Sequence, residues 1–311
     1  MEQSGGVGGQ WLYDPRTDAG DPLGPAGVHS SIYSSVRLIT PREVTCFSDF
    51  PFYPKDDGGD TRRYPGHGEF LRYIRDFCDA LGLMDVVRFN TRVVYVGVAP
   101  PDDGGAADDN SLRWVVRCTQ QGDGDHGAVA TEEVFDAVVI AVGQYTQPRI
   151  PTIDGMDRWS RRQLHSHSYR VPDSFHGEVV VVVGCHESGK DIALELCQVA
   201  REVHICIKST EDITPGVTKA IECLCEDGQV MFAGGSCVVA DAVIYCTGYK
   251  YSFPFLDTAG LVTVDDNRVG PLFEHTFPPA LAPSLSFVGV AKRVVVPRFY
   301  ETQARWVAQV L

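Results

Sequence analysis

The stretch VVVVVGCHESGKDIALEL at residues 179–196 constrains this chain more than any other segment. Five consecutive valines have no polar face, so they predict a short strand buried on both sides, the kind found in parallel sheets. The strand delivers the chain to Gly184. Ser188 and Gly189 then open a segment in which Ile192, Ala193, Leu196 and Val199 recur at helical spacing. REVHICIKS follows as another apolar strand. Strand, turn, helix and strand in that order make a βαβ unit on a parallel sheet.

Such a turn has a chemistry of its own. The first turn of a helix presents unbonded N–H groups and a partial positive charge, so a pyrophosphate binds there without a side-chain cation. Gly184 permits the tight turn, and Gly189 lets the helix approach the strand. The middle glycine of the dinucleotide fingerprint is replaced by His186, whose Cβ narrows the approach of backbone to phosphate. Lys208 and Ser209 follow the second strand, where an NAD enzyme keeps an acid for the ribose. A cation and a hydroxyl suit a 2′-phosphate, so NADP is expected over NAD, the alternative being a solvated lysine at a strand end.

The rest of the chain supports an α/β protein. Phe70, Leu71, Ile74, Phe77, Cys78 and Leu81 predict a helix over residues 68–81. VRFNTRVVYVGV and LRWVVRCT predict strands, with PPDDGGAADDN and QQGDGDHG as exposed hairpin tips and residues 12–30 as loop. VFDAVVIAVG reads as one buried strand running into a glycine, and CVVADAVIYCTGY mirrors it. SLSFVGVA predicts a late strand and FYETQARWVAQVL a final helix.

At 311 residues the chain is long enough for two moderate domains. A net charge of −14 argues against a nucleic-acid partner. No stretch has the ~18 uncharged apolar residues of a membrane span. No signal peptide is readable, and the ten cysteines form no C-x-x-C pair, so reduced thiols in a cytoplasmic protein are expected. His165 and His167 form an H-x-H pair without a third ligand at sensible spacing, which predicts a structural or NADPH-side role and no metal. Cys223 and Cys225 read as packing and loop residues rather than a redox pair.

The opening MEQSGGVGGQW places an acid before a glycine-rich run, as in the back half of a dinucleotide unit. The strand and G-x-G-x-x-G turn of the front half are absent from this sequence, so the unit is expected to be N-terminally incomplete. EQSGGVGGQW, SDFPF, YPGHGEFLRYIRDFC, YCTGY and FPPALAPSLSFVG together resemble the flavin-containing monooxygenases, in particular the plant branch similar to glucosinolate S-oxygenases. The resemblance covers nearly the whole chain.

It implies a two-dinucleotide-binding-domain flavoprotein fold with Rossmann-like parallel sheets. Residues 1–160 and 248–311 would form an incomplete FAD domain, and 161–247 an inserted NADPH domain. The implied enzyme is an NADPH- and FAD-dependent monooxygenase of the N,N-dimethylaniline monooxygenase type. NADPH reduces the flavin, O2 adds at its C4a to give a hydroperoxide, and a small soft nucleophile, thioether sulfur or amine nitrogen, takes an oxygen. No catalytic side chain is implied. The resemblance assigns Glu2 to the FAD ribose, and Gln10 and Trp11 to the flavin. It assigns Gly184, Cys185, His186, Glu187, Ser188 and Gly189 to the NADPH turn. Tyr245, Thr247, Gly248 and Tyr249 match the family's aromatic-x-T-G-Y return.

Three departures accompany the likeness. The first strand and glycine turn, and the family's C-terminal end, lie outside the sequence. Leu38 and Ile39, followed by Thr40, occupy a cofactor-side step where the family commonly has Thr-Asn. In the family's identifying motif Trp159 replaces Phe and Arg161 replaces Gly, while His165 and Tyr169 remain. The alternative reading is therefore a truncated, catalytically impaired homologue that binds NADP only. A pyridine-nucleotide disulfide reductase is a third option, disfavoured by the absence of a C-x-x-C or C-x4-C pair.

Overall fold

The computed structural model describes residues 1–17, 27–100, 112–120, 129–207, 217–218, 220–292, 294 and 296–311. The chain divides into two compact units, one of Met1–Leu12, Val36–Gln144 and Tyr251–Leu311, the other of Tyr13–Ser35 and Tyr145–Lys250.

In the first unit, strands Thr91–Val98, Trp114–Gln120 and Val129–Phe135 form an antiparallel layer, and Leu256–Asp257 joins its edge in parallel. Period-two alternation sends Trp114, Val116 and Cys118 into the core beside Leu285 and Phe287. On the outer face Arg117 pairs across the strands with Glu132. The expected hairpin tips fall at residues 101–111 and 121–128, outside the described residues.

VFDAVVIAVG is not one strand. Its first residues end the antiparallel Val129–Phe135 strand, and after Asp136 and Ala137 a separate strand, Val138–Ile140, pairs in parallel with Leu285–Phe287. CVVADAVIYCTGY breaks at the same Asp-Ala step. Cys237–Val239 belongs to an antiparallel ribbon, and Ala242–Tyr245 to a parallel sheet. The mirrored pattern marks two crossings between layers.

Helix α1 (His67–Ala80) covers the expected segment one residue early at each end. It buries Cys78, and Phe70 and Tyr73 with Leu38, Cys46 and Phe52, and Trp11 packs on that cluster. Gly82, left-handed at φ 63°, ends it, and its N–H bonds the Asp79 carbonyl. Helix α3 (Arg298–Val310) is held by Gln303, which accepts from the Gly289 N–H and donates to the Thr276 hydroxyl.

The second unit contains a five-stranded parallel sheet in the order Arg162–His165, Ala242–Tyr245, Val179–Val183, Glu202–Cys206, Val217–Thr218. Helix α2 (Glu187–Leu196) links the third strand to the fourth and buries Ile192, Ala193 and Leu196. The valine run is central and closed to solvent from Val179 to Val182, as a strand with no polar face requires. Val181→Ala should cost about 2 kcal/mol in a chemical-denaturation measurement, because the surrounding sheet leaves little room to collapse into the void. The ten cysteines are free thiols. Among the described residues no helix is long and apolar enough to cross a membrane.

Candidate functional site

The Val179–Val183 strand has Glu202–Cys206, reached through α2, on one side and Ala242–Tyr245, reached much later, on the other. The strand order therefore reverses at Val183 and Tyr245, and in open α/β sheets ligands bind beyond the carboxyl ends of strands at such a point. The Gly184 N–H bonds the Cys206 carbonyl, and the Cys246 N–H bonds the Val183 carbonyl, which locks both strand ends.

Both glycines of this turn are sterically required. Gly184 sits at φ 107°, and a Cβ there would lie 2.5 Å from the Cys246 carbonyl oxygen. A Cβ on Gly189 would lie 2.0 Å from the Gly184 carbonyl oxygen. The helix thus meets the strand turn backbone to backbone, as a diphosphate cradle demands. His186 is the N-cap in extended conformation; it is exposed, and no side chain caps the first turn of α2. Residues 184–189 are therefore brought together at one helix end. Lys208 and Ser209 lie outside the described residues.

The wall beyond the two strands is a buried polar cluster. His165 Nδ1 accepts the His167 backbone N–H at 3.0 Å, so the ring proton sits on Nε2 and is donated to the Gly248 carbonyl at 3.0 Å. The ring edges onto Tyr249, with His167 on the same phenol. Burial, with the neighbouring His167, lowers the His165 pKa to about 4. His165 thus stays neutral and fixes the Thr-Gly-Tyr return. The Tyr249 hydroxyl bonds Ser31 and Ser166. Burial pushes the Cys246 thiol up to about 12, which leaves it no nucleophile.

Sequence reasoning missed Arg170, which directly follows the motif tyrosine. Its guanidinium is buried, and its five N–H donors go to the carbonyls of Asp14, Arg16, Ser30, His167 and Tyr169. With every donor spent, Arg170 is a strut and cannot also grip a phosphate. Tyr33 was missed too. Its hydroxyl donates to Asp191 at 3.0 Å while Tyr169 donates to Glu195 at 2.8 Å, two ties on successive turns of α2. Arg161, where the family has glycine, also builds structure. It bonds the Ala240 and Asp227 carbonyls and Asp241, and lies over Gly228, where a Cβ would meet it at 2.2 Å. Trp159 is buried in the core of the same unit.

The first unit holds the other assigned residues. Gly8 at φ 130° comes so close to α1 that a Cβ would meet Leu71 at 2.5 Å, and a short turn, Gly9–Trp11, follows. Trp11 edges onto Phe70 at 4.8 Å, which joins it to the cluster containing Leu38, and Gln10 precedes it in the short turn. Ile39 is 67% exposed beside it, and Thr40 shares a hydrogen bond with Thr45. Glu2 stands apart. Its backbone pairs with Arg88 and Thr91, and one carboxylate oxygen accepts the Ser4 N–H, leaving the other without a protein partner among the described residues. A carboxylate with one idle oxygen fits a ribose hydroxyl.

The family model for flavin-binding monooxygenase-like proteins matches residues 1–220 and 212–311. Flavin-containing monooxygenase FMO GS-OX-like 8 of Arabidopsis thaliana is 54% identical over 326 aligned residues, covering 100% of this chain and 69% of that protein. The solved structure of S-allyl-L-cysteine S-oxygenase from Allium sativum superposes with a TM-score of 0.86 at 42% identity, covering 100% of this chain and 70% of that one. Tmm from Pelagibacter shares the fold at a TM-score of 0.80 and 24% identity, covering 99% of this chain and 67% of that one.

Proposed function

As this chain belongs to the flavin-binding monooxygenase-like family, we propose that it is a cytoplasmic NADPH- and FAD-dependent monooxygenase that oxygenates a small thioether or amine. The observation that carries the reading is the turn at Gly184 and Gly189, where two backbone contacts exclude any side chain and leave an uncapped helix end for a diphosphate. Residues 184–189 hold the NADPH diphosphate, and Lys208 meets its 2′-phosphate. Glu2 holds the FAD ribose. Gln10, Trp11, Ile39 and Thr40 border the isoalloxazine. In this reading the NADPH domain, 161–247, lies within the second unit, which also takes in 13–35, 145–160 and 248–250, and the rest of 1–160 with 248–311 is the FAD domain. The bound flavin, reduced by NADPH, supplies the O2 activation. The chain's own residues bind, orient and keep water out, and none acts as nucleophile. Sulfur is favoured by the likeness to the Allium enzyme, whose substrate is a thioether.

Purified chain with NADPH and S-allyl-L-cysteine tests the proposal. A yellow preparation that couples NADPH oxidation to one sulfoxide is the expected result. A colourless chain that quenches NADPH fluorescence without oxidising it supports an NADP-only homologue instead. Absence of NADPH binding overturns both.

A further inference from the structure

We propose that Cys223, Cys225 and Met231 form a binding site for a soft monovalent cation of the Cu(I) class. The three strands Ile221–Leu224, Gln229–Phe232 and Cys237–Val239 form an antiparallel ribbon in the second unit. Leu224, Val230 and Phe232 are buried in its core. Alternation turns Cys223 and Met231 to the opposite, partly exposed face. The register sets Cys223 directly across from Met231, and Met231 directly across from Cys237. Opposed residues on one face have Cβ atoms about 5 Å apart, so three sulfur side chains cross the ribbon in a row.

Cys225, two residues along from Cys223, is the other thiol of the proposed set. Its backbone N–H bonds the Gln229 carbonyl at 2.8 Å, and with buried Leu224 between them Cys223 and Cys225 return to the same half-buried face. Asp154 pairs with Cys223 in an isolated parallel bridge, and Glu222 directly precedes Cys223. Their carboxylates attract a cation.

The donor set selects the ion. Among the described residues no three His, Cys, Asp or Glu side chains stand in metal-binding arrangement, so a four-donor zinc centre is not available. Two thiolates and a thioether are a soft set of low coordination number, which suits Cu(I). Binding forms two Cu–S bonds, releases the two thiol protons to solvent and leaves the metal's oxidation state unchanged.

The full chain, reduced and loaded with Cu(I), is challenged with a competing Cu(I) chelator. Wild type is expected to retain a single equivalent. Cys223→Ser and Cys225→Ser should each weaken it about a hundredfold and Met231→Leu about tenfold, with exposed Cys197→Ser unchanged. Retention by either cysteine variant equal to that of wild type, or none by wild type, overturns the site. Should a variant fail to fold, alkylation mapping of wild type decides. A single equivalent of Cu(I) should shield Cys223 and Cys225 while Cys197 still reacts, and unshielded labelling sinks the proposal.

Discussion

Gly189→Ala is expected to abolish measurable NADPH binding and to cost about 3 kcal/mol of stability. Its Cβ has to find room 2.0 Å from the Gly184 carbonyl oxygen, which is backbone and cannot swing aside. Either the helix end lifts from the strand turn or Gly184 moves, and Gly184 is itself held by its N–H bond to Cys206 and its packing on Cys246. Both routes open the cradle proposed for the diphosphate. Gly68→Ala is the control. It sits in α1 with nothing within 4 Å of an added Cβ, so it should be neutral or gain up to ~1 kcal/mol. Denaturant melts combined with NADPH titration separate the two variants. Undiminished NADPH affinity in Gly189→Ala would show that the nucleotide binds elsewhere.

Acid should loosen the fold through His165. Its folded-state pKa of about 4 lies below the ordinary 6.5, so the unfolded chain takes up a proton more readily than the native one. Stability from this group is therefore fully present above pH ~6.5 and falls as pH drops toward 4, by about 3 kcal/mol in all. His167 is also lowered, chiefly by burial and then by Arg170 and His29, and adds to the same slope. His165→Gln keeps a donor for Gly248 and an acceptor for the His167 N–H but does not titrate. Its unfolding free energy should change less between pH 7.5 and 4.5 than that of wild type, by up to one proton's worth of slope. An unchanged slope would mean that His165 takes up its proton in the fold as readily as in the unfolded chain.

Particular residues show how far sequence reasoning reached. The valine run, the turn at Gly184 and the helix after it were legible because each depends on local rules: β-branching, positive φ and a 3.6-residue apolar period. The contact that makes Gly189 obligatory lies in the same short segment, so the fingerprint spacing was enough to find it. The two Asp-Ala breaks were not legible. Val134 to Ile140 is apolar but for Asp136, and only the choice of partner strand, a long-range decision, sends one part to an antiparallel layer and the other to a parallel pair. Arg170 was hidden for a related reason: its acceptors are carbonyls contributed by residues 14, 16 and 30, and nothing in residue identity announces a carbonyl. Arg161 shows the reverse case. As a departure from the family pattern it stood out, and the structure gives it work in the ribbon turn at Gly228.

The two phenol ties on Asp191 and Glu195 bear on kinetics as well as shape. A helix stapled along its flank has already lost the motional freedom that ligand capture would otherwise have to remove. Amides of α2 should consequently exchange with deuterium almost as slowly in the apo chain as with nucleotide present, and arrival should proceed as a single encounter without a slow ordering phase.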